Sequence, residues 1–259
     1  MVIATQMRPS DHGSLLSLRL GRLQPLGPFD TVLLEGLGGP VRACPAGEEI
    51  GEQGAPLRPR LIRSGWAGAV RSLQDGRRQI FRLLLPGDTM GISTIPSALA
   101  TAATLAFTPL ELVELEPVAA ALRDAPEQHA ALAAALALDA ARAEAGLLDH
   151  LMRLGRQTAL ERTAHLLLEL RDRLAAVGLA SETRFPLPLT QEVLADTLGL
   201  STVHMNRTLQ ELRRLRFLRM DKGQVELLDP ARLADLADYA LSQVSTLCPA
   251  PAPPRARIG

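Results

Sequence analysis

The chain has 259 residues, a formal net charge of zero and 47% hydrophobic residues. This length suits one large domain or two ordinary ones, and no run of about eighteen apolar residues is present to cross a membrane. The first residues lack the basic end and apolar centre of a secretory signal, so we expect a cytoplasmic protein. The two cysteines, Cys44 and Cys248, have no C-x-x-C spacing and indicate neither a disulfide framework nor a thiolate metal site.

Changes in composition along the chain predict four segments. They are a β domain at 14–117, a long helix at 118–156, a second domain at 157–244 and a disordered Pro-rich tail at 245–259. The first dozen residues are expected to be loose, and residues 15–39 are expected to form one or two short helices.

The β domain is indicated by dense glycine and proline turns and by poor helical periodicity between residues 41 and 116. Short apolar runs between such turns are typical of a small antiparallel sandwich or barrel. Residues 61–73 and 77–85 flank the dipeptide Asp75-Gly76, which is a strong hairpin signal.

The long helix is predicted after Pro126, where the chain changes to alanine and leucine. Apolar residues spaced by three and four form one stripe along it. The stripe consists of Leu132, Leu136, Ala140, Ala143, Leu147, Leu151 and Leu154. It can pack against the chain's own β domain, pair with the same helix of a second chain as in a short coiled coil, or do both.

Two short helices joined by a tight turn are predicted near the C-terminus. Thr190 and Ser201 carry hydroxyl groups that can cap the first turn of each helix. Gly199 between them allows a left-handed turn without steric penalty. Ala195 is small where the second helix crosses, and Met205 is apolar where that helix must face the core, which is typical of a helix-turn-helix.

A β-hairpin is predicted at 217–220 and 224–228, around Asp221-Lys222-Gly223, and makes the unit a winged helix. Basic residues dominate this span although the whole chain is neutral. They are Arg207, Arg213, Arg214, Arg216, Arg219 and Lys222, against Glu211 and Asp221. A local basic face is what phosphate contact requires, because cations on the protein displace the counterions of DNA.

The remaining segments surround this unit. An amphipathic helix is predicted over 160–177 and a linker over 180–188. A last helix is predicted from Pro230 to about residue 244, because Asp229 before the proline is a cap signal.

A β domain, a long apolar-striped helix and a winged helix, in this order, resemble the CRP/FNR family of bacterial transcription regulators. The resemblance spans most of the chain and rests on PAGEEIGEQG at 45–54, SGW at 64–66, DGRRQIFRLLLPGDTMG at 75–91 and TQEVLADTLGLSTVHMNRTLQELRR at 190–214. It implies an α+β fold with an N-terminal cyclic-nucleotide-binding-like β-roll, a long dimerisation helix and a C-terminal winged helix-turn-helix. It also implies a homodimer that reads palindromic double-stranded DNA and works with RNA polymerase, away from any membrane.

The resemblance also assigns roles to residues of the second helix. By position, Thr202, Val203, Asn206 and Arg207 match the family's base-facing residues, while Thr190, Gln191, Ser201 and His204 match phosphate contacts, with Lys222 on the wing. Arg207 can donate two hydrogen bonds to guanine, and Asn206 can pair adenine. The family's cyclic AMP receptors place Arg and Glu at the matches of Thr202 and Val203, so a different half-site is expected. His204 can equally be a plain surface residue.

The candidate ligand pocket has lost the residues that hold a cyclic nucleotide in this family. Its matched positions are Gly91, Ile92, Thr101 and Ala102, where the receptors have a glutamate after the glycine and an Arg-Ser pair. A buried phosphodiester without a cation costs several kcal/mol, which disfavours cyclic AMP in that mode unless Arg78 or Arg82 substitutes.

Cofactors are not expected. The iron-sulfur branch of the family uses four cysteines, which two cannot supply. Haem would need axial ligands, for which His129, His150, Met90 and Cys44 are candidates, but a lone histidine on an Ala-rich helix is more often a partly exposed surface residue. The signal is therefore left open between an unknown small ligand, a protein partner and a sensor domain that only supports a dimer, with a haem- or nucleotide-responsive regulator as the alternative.

An enzyme is not expected either. A cupin-like metalloenzyme needs clustered histidines on its strands, and residues 41–116 contain none. The chain also lacks G-x-S-x-G, Walker, G-x-G-x-x-G and HExxH motifs. A winged helix that binds protein rather than DNA is the competing interpretation, and the basic second helix argues against it.

Overall fold

The computed structural model describes residues 12–93 and 98–239. The predictions for residues 1–11 and for the Pro-rich tail lie outside these ranges. The prediction that the last helix runs to about residue 244 is wrong, because the helix ends at Ala237 and Asp238 is in the left-handed conformation. None of the helices within them is long and apolar enough to cross a bilayer.

The helices are α1 His12–Gly21, α2 Pro28–Glu35, α3 Glu116–Asp124, α4 Ala130–Arg156, α5 Ala159–Ala176, α6 Gln191–Leu198, α7 Thr202–Arg214 and α8 Pro230–Ala237. The strands are β1 Val41–Cys44, β2 Glu49–Gly51, β3 Arg60–Ser64, β4 Ala67–Ser72, β5 Arg78–Leu84, β6 Thr89–Met90, β7 Ala103–Ala106, β8 Leu110–Glu114, β9 Arg184–Pro186, β10 Leu218–Asp221 and β11 Gln224–Leu227. They form a β domain, a long connecting helix and a helical domain with its own small sheet.

The β domain consists of two four-stranded antiparallel sheets, ordered β1-β8-β3-β6 and β2-β7-β4-β5. The predicted hairpin at Asp75-Gly76 joins β4 to β5. The run 61–73 is two strands rather than one, because the chain turns at Gly65 with φ of +83°. A Cβ at Gly65 would collide with the Pro109 carbonyl, so only glycine allows this approach.

The long helix begins after Pro126, as predicted, and the segment 118–156 also contains most of a short helix before that proline. Pro126 disfavours helical geometry at the residue before it, and Ala125 adopts φ −137° and ψ 56° at the end of α3. The long helix α4 then runs 27 residues to Arg156. Its first turns enter the chain's own core, since Leu132 is fully buried against α1 and β8 residues such as Leu16 and Val113.

The C-terminal domain confirms the predicted winged hairpin and corrects the linker before it. β10 and β11 pair antiparallel, and β11 also pairs with β9, which lies in the segment expected to be a linker. Phe185 at the centre of β9 is buried opposite Val225. Three residues that end in a proline carry too little alternation for a strand to be predicted, and burial of Phe185 decides the conformation.

The two domains are docked through the β4–β5 hairpin. Arg78 pairs with Asp196 at 2.5 Å, and Gln79 donates to the carbonyl of Thr197 at 3.0 Å, both on α6. A buried chain of charges continues this contact through Asp88 and Arg173, whose Oδ2 and Nη2 atoms lie 2.6 Å apart. The position of the helix-turn-helix relative to the β domain therefore depends on polar contacts as well as on apolar packing.

Candidate DNA interface

The helix-turn-helix forms as its local signals predict. Thr190 Oγ1 accepts a hydrogen bond from the Val193 amide at 3.2 Å, and Ser201 Oγ accepts one from the His204 amide at 3.2 Å. Gly199 ends α6 in the left-handed conformation with φ of +63°. These contacts satisfy amides that a helix leaves unpaired and set the direction in which α7 leaves the turn.

One face of α7 is buried and the other is open. Met205, Leu209 and Leu212 lie in the core. The predicted DNA-binding residues lie on the outside: Thr190, Ser201, Thr202, Val203, His204, Asn206, Arg207 and Lys222 are exposed, and Gln191 is half-buried. The structure therefore brings all nine to accessible positions around α7 and the wing.

Three side chains of the open face are available for base contact. Val203 is 64% exposed, so its apolar side chain is accessible on this face. Within the described ranges, Asn206 and Arg207 make no side-chain hydrogen bond or ion pair. Their donors and acceptors are thus uncommitted, as recognition of base edges requires.

The wing presents its cation at a two-residue turn. Lys222 and Gly223 both have positive φ, 46° and 75°, which is the geometry of a type I′ hairpin turn. The net positive charge around the wing is smaller than the number of arginines suggests, because some of them have carboxylate partners. Arg214 pairs with Glu211 at 2.6 Å, and Arg219 lies 3.9 Å from Glu226.

The predicted stripe on α4 divides into a buried and an exposed part. Leu132 lies in the β-domain core and Leu136 packs against it. The N-terminal end of the stripe therefore packs on the chain's own β domain. Further along, Ala140, Leu147 and Leu151 are exposed, while Ala143 and Leu154 are half-buried. Sequence reasoning missed Leu148 and Met152, 59% and 61% exposed beside the stripe. The only sequence signal for these two residues is that each directly follows a stripe residue, Leu147 or Leu151.

The four predicted pocket residues meet at one cavity. Gly91, Ile92, Thr101 and Ala102 line a space of about 880 Å³ between the β-roll and α4. Arg82 also lines it, whereas Arg78 is directed to α6 instead. Gly91 has φ of +71°, and a Cβ there would overlap the Arg58 backbone, so a glycine is required at this turn.

Three of the candidate haem ligands, His129, His150 and Cys44, are buried rather than on the surface. His129 is buried and its Nδ1 lies 2.7 Å from Asp30 Oδ1, while His150 is 2% exposed against β5 and Arg153. Cys44 is buried between the sheets. In the parts of the chain that the structure describes, no group of three or more His, Cys, Asp or Glu side chains is arranged to hold a metal ion.

A buried charge network behind the interface has no counterpart in the sequence predictions. Arg173 bridges Asp88 and Glu169, and Arg153 lies 2.6 Å from the second oxygen of Glu169. Burial and the charge of Arg153 lower the pKa of His150 and of His165 to about 4. Both rings are therefore neutral at physiological pH.

Because the pKa values of His150 and His165 are lowered in the folded protein, we expect the protein to lose stability as the pH falls from about 7 to about 5. On unfolding the two histidines regain their ordinary pKa of 6.5, so the unfolded chain binds more protons than the folded one in this window. Protonation of the two residues should therefore lower the free energy of unfolding by about 2 to 4 kcal/mol. Denaturant unfolding across the window measures this loss, and His150→Gln should reduce its slope. His204→Gln, on the open face of α7, is the matched control and should leave the slope unchanged. An equally steep slope in His150→Gln would contradict the assignment.

Comparisons with known proteins identify the family. Residues 161–236 match the model of a Crp-like helix-turn-helix domain. The chain is 33% identical over 176 residues to the nitrogen fixation regulation protein FixK of Bradyrhizobium diazoefficiens, covering 68% of this chain and 72% of that protein. It is 30% identical over 213 residues to the transcriptional activatory protein AadR of Rhodopseudomonas palustris, covering 82% and 87%.

Solved structures agree with this relationship. The structure of FixK2 from Bradyrhizobium japonicum matches with a TM-score of 0.66 and 29% identity, over 78% of this chain and 98% of that one. The β-roll, the long helix and the winged helix thus follow one another as in that regulator. The relatives are transcription factors rather than enzymes. The chain belongs to the CRP/FNR family and is a DNA-binding transcription regulator.

Proposed function

We propose that the protein binds, as a homodimer in the cytoplasm, to a palindromic operator into which each protomer inserts α7. The observation that carries this proposal is the open face of α7, where Arg207 and Asn206 have uncommitted polar groups next to an exposed Val203. Two such helices would enter successive major grooves roughly 34 Å apart, so the operator should be an inverted repeat with half-sites one turn apart.

Within each half-site the residues would divide into base contacts and phosphate contacts. Base edges would be read by Thr202, Val203, Asn206 and Arg207. Phosphates would be held by Thr190, Gln191, Ser201, His204 and Lys222. This division is supported by the capped N-terminus of α7, since helix N-termini favour anions.

The dimer would form through the C-terminal half of α4. Leu147, Leu148, Leu151 and Met152 are between 42% and 61% exposed there, which leaves a continuous apolar strip for a second copy. Leu147 and Leu151 lie about one helical turn apart, as do Leu148 and Met152. This spacing places apolar side chains along one face, as in two helices that pack side by side.

The sensor domain would respond through the cavity at Gly91, Ile92, Thr101 and Ala102, to a ligand other than cyclic AMP in its usual mode. RNA polymerase is a further proposed partner, because a relative is named as a transcriptional activatory protein.

The second candidate function is a winged helix that docks on protein rather than on DNA. Salt distinguishes the two, since DNA binding weakens steeply as salt rises and apolar docking does not.

Selection of bound sequences from a random duplex library, with purified protein at physiological salt, tests the operator. A palindromic consensus with two half-sites is expected. Repeating the selection with an extract of small metabolites shows whether a ligand is needed. Absence of enrichment in both conditions would contradict direct operator binding.

Arg207→Ala should weaken binding to a matched operator by about 1 to 3 kcal/mol and relax the preference at one base pair. Arg207→Lys is the matched control, because lysine keeps the charge but not the planar fork that reads guanine. We expect it to relax the same base pair while retaining the salt dependence. Gel-shift titrations against the selected site and its single-base variants measure both effects. A uniform loss across all sequences would make Arg207 a phosphate contact instead.

A further inference from the structure

A second cavity lies between the two domains and adjoins the one at Gly91, with which it shares Arg82, Asp139 and Ala143. It has a volume of about 340 Å³, within the range of small-molecule sites. Its walls come from α1, β5, α4 and α5, and Thr197 of α6 and Tyr239 also line it. A molecule bound there would touch the β domain, the long helix and the DNA-binding domain at once.

The charges around this cavity are unevenly compensated. Arg19 and Arg173 are both paired with Asp88, and each has a second carboxylate partner. By contrast, Arg82 on β5 and Arg142 on α4 are partly buried and form no hydrogen bond or ion pair with the residues that the structure describes. Burial lowers the pKa of both guanidinium groups below the ordinary range. Two desolvated cations from two walls therefore have no direct ion-pair partner, although Asp139 attracts both of them and Asp88 attracts Arg82.

Other polar atoms in the same walls also lack partners. Arg153 is 2% exposed, and its Nε atom is buried without a hydrogen-bond partner in the described part of the chain. The same holds for Nδ1 of His165. An unsatisfied buried polar group costs about 1 to 3 kcal/mol, which a bound acceptor would recover. Phe81 and Leu83 add apolar wall between these groups.

We propose that this interdomain cavity binds a small organic phosphate, with the phosphate held by Arg82 and Arg142 and the organic part against Phe81 and Leu83. A phosphate monoester carries close to two negative charges and three acceptor oxygens at neutral pH, which matches two guanidinium groups from separate walls. A carboxylate offers one charge and would leave one cation uncompensated.

Such a ligand would favour the docked arrangement of the two domains, because it binds a site that exists only while they are docked. Ala143 and Leu147 line the cavity and also belong to the stripe on α4. Occupancy would therefore also act on the surface that we propose for the dimer. The binding itself requires neither DNA nor a second copy, so it can be tested apart from the proposed function.

Calorimetric titration of the full chain without DNA tests the site, with phenyl phosphate, inorganic phosphate and benzoate as probes. Phenyl phosphate is expected to bind more tightly than inorganic phosphate, which lacks the apolar body, and benzoate is expected not to bind. Arg82→Gln and Arg142→Gln should each weaken phenyl phosphate by about tenfold or more. Arg123→Gln, an exposed arginine on α3, is the matched control and should leave binding unchanged.

The variants should fold, because the cations they remove form no hydrogen bond or ion pair with the described residues. Their melting temperatures without phosphate should equal or exceed that of the unsubstituted protein. The site would be refuted by absence of binding at millimolar phenyl phosphate or by equal binding of benzoate. An equal loss of affinity in Arg123→Gln would likewise refute it, since it would indicate nonspecific attraction of the anion.

Discussion

Replacing Leu147 and Leu151 together with glutamate is expected to produce monomers and to weaken operator binding by about two to four orders of magnitude. Both residues are exposed in the single chain, 42% and 58%, so the substitution leaves the protomer core intact. In a dimer it would place four carboxylates, two from each chain, inside an apolar contact. Each would have to be desolvated without a partner, which the dimer cannot compensate.

The loss of DNA affinity follows from the loss of pairing. A dimer holds the second α7 close to the second half-site, so its contacts form at high effective concentration. A monomer has only one set of phosphate and base contacts. Single half-site binding should remain and should still depend on Arg207.

Analytical ultracentrifugation gives the oligomeric state, and gel-shift titration gives the affinity. Phe29→Glu with Val32→Glu is the matched control, since these residues on α2 are 60% and 70% exposed and equally apolar. That variant should stay dimeric. If the α4 variant also stays dimeric, the interface lies elsewhere on the molecule.

Asp88→Ala is expected to reduce the free energy of unfolding by about 3 to 5 kcal/mol. Asp88 is fully buried, and its Oδ2 atom accepts from Arg173 at 2.6 Å and from the Leu85 amide at 2.7 Å. Arg19 approaches the other oxygen at 2.7 Å. Burial alone would raise the pKa of Asp88, but Arg173, Arg19 and Arg82 together hold it well below its usual range.

Removal of this fully buried carboxylate leaves Arg19 and Arg173 without their shared counterion. The penalty should exceed that of an ordinary surface ion pair, because uncompensated buried charge is costly. Urea unfolding measures it. Asp75→Ala removes an exposed carboxylate that pairs with Arg77 and should change stability by less than about 1 kcal/mol. A similarly small effect at Asp88 would show that the network is solvated.

The DNA-binding unit could be predicted from sequence because its signals are local. Thr190, Ser201 and Gly199 act on helix ends within three or four residues of themselves, and caps of this kind depend little on the rest of the fold. The hairpin at Lys222-Gly223 is equally local, since its turn type follows from which residues tolerate positive φ. The open face of α7 follows from helical periodicity once Met205 is assigned to the core.

Other features depend on contacts between residues far apart in the chain. His129 is buried because Asp30 from α2 meets it, a partner 99 residues away. The strand at Phe185 exists because β11 offers it a ladder, and Leu132 is withdrawn from the stripe on α4 because the β domain covers that end.

The sequence by itself therefore determined which segments form helices, turns and the wing, since those preferences arise within a few residues. Only the tertiary structure decided which charges are paired. Arg173 forms ion pairs with Asp88 and Glu169, whereas Arg82 and Arg142 form no direct ion pair with the described residues. Composition and spacing do not distinguish these two cases. Pairing depends on distances of a few ångströms between elements, and those distances exist only once the two domains have docked.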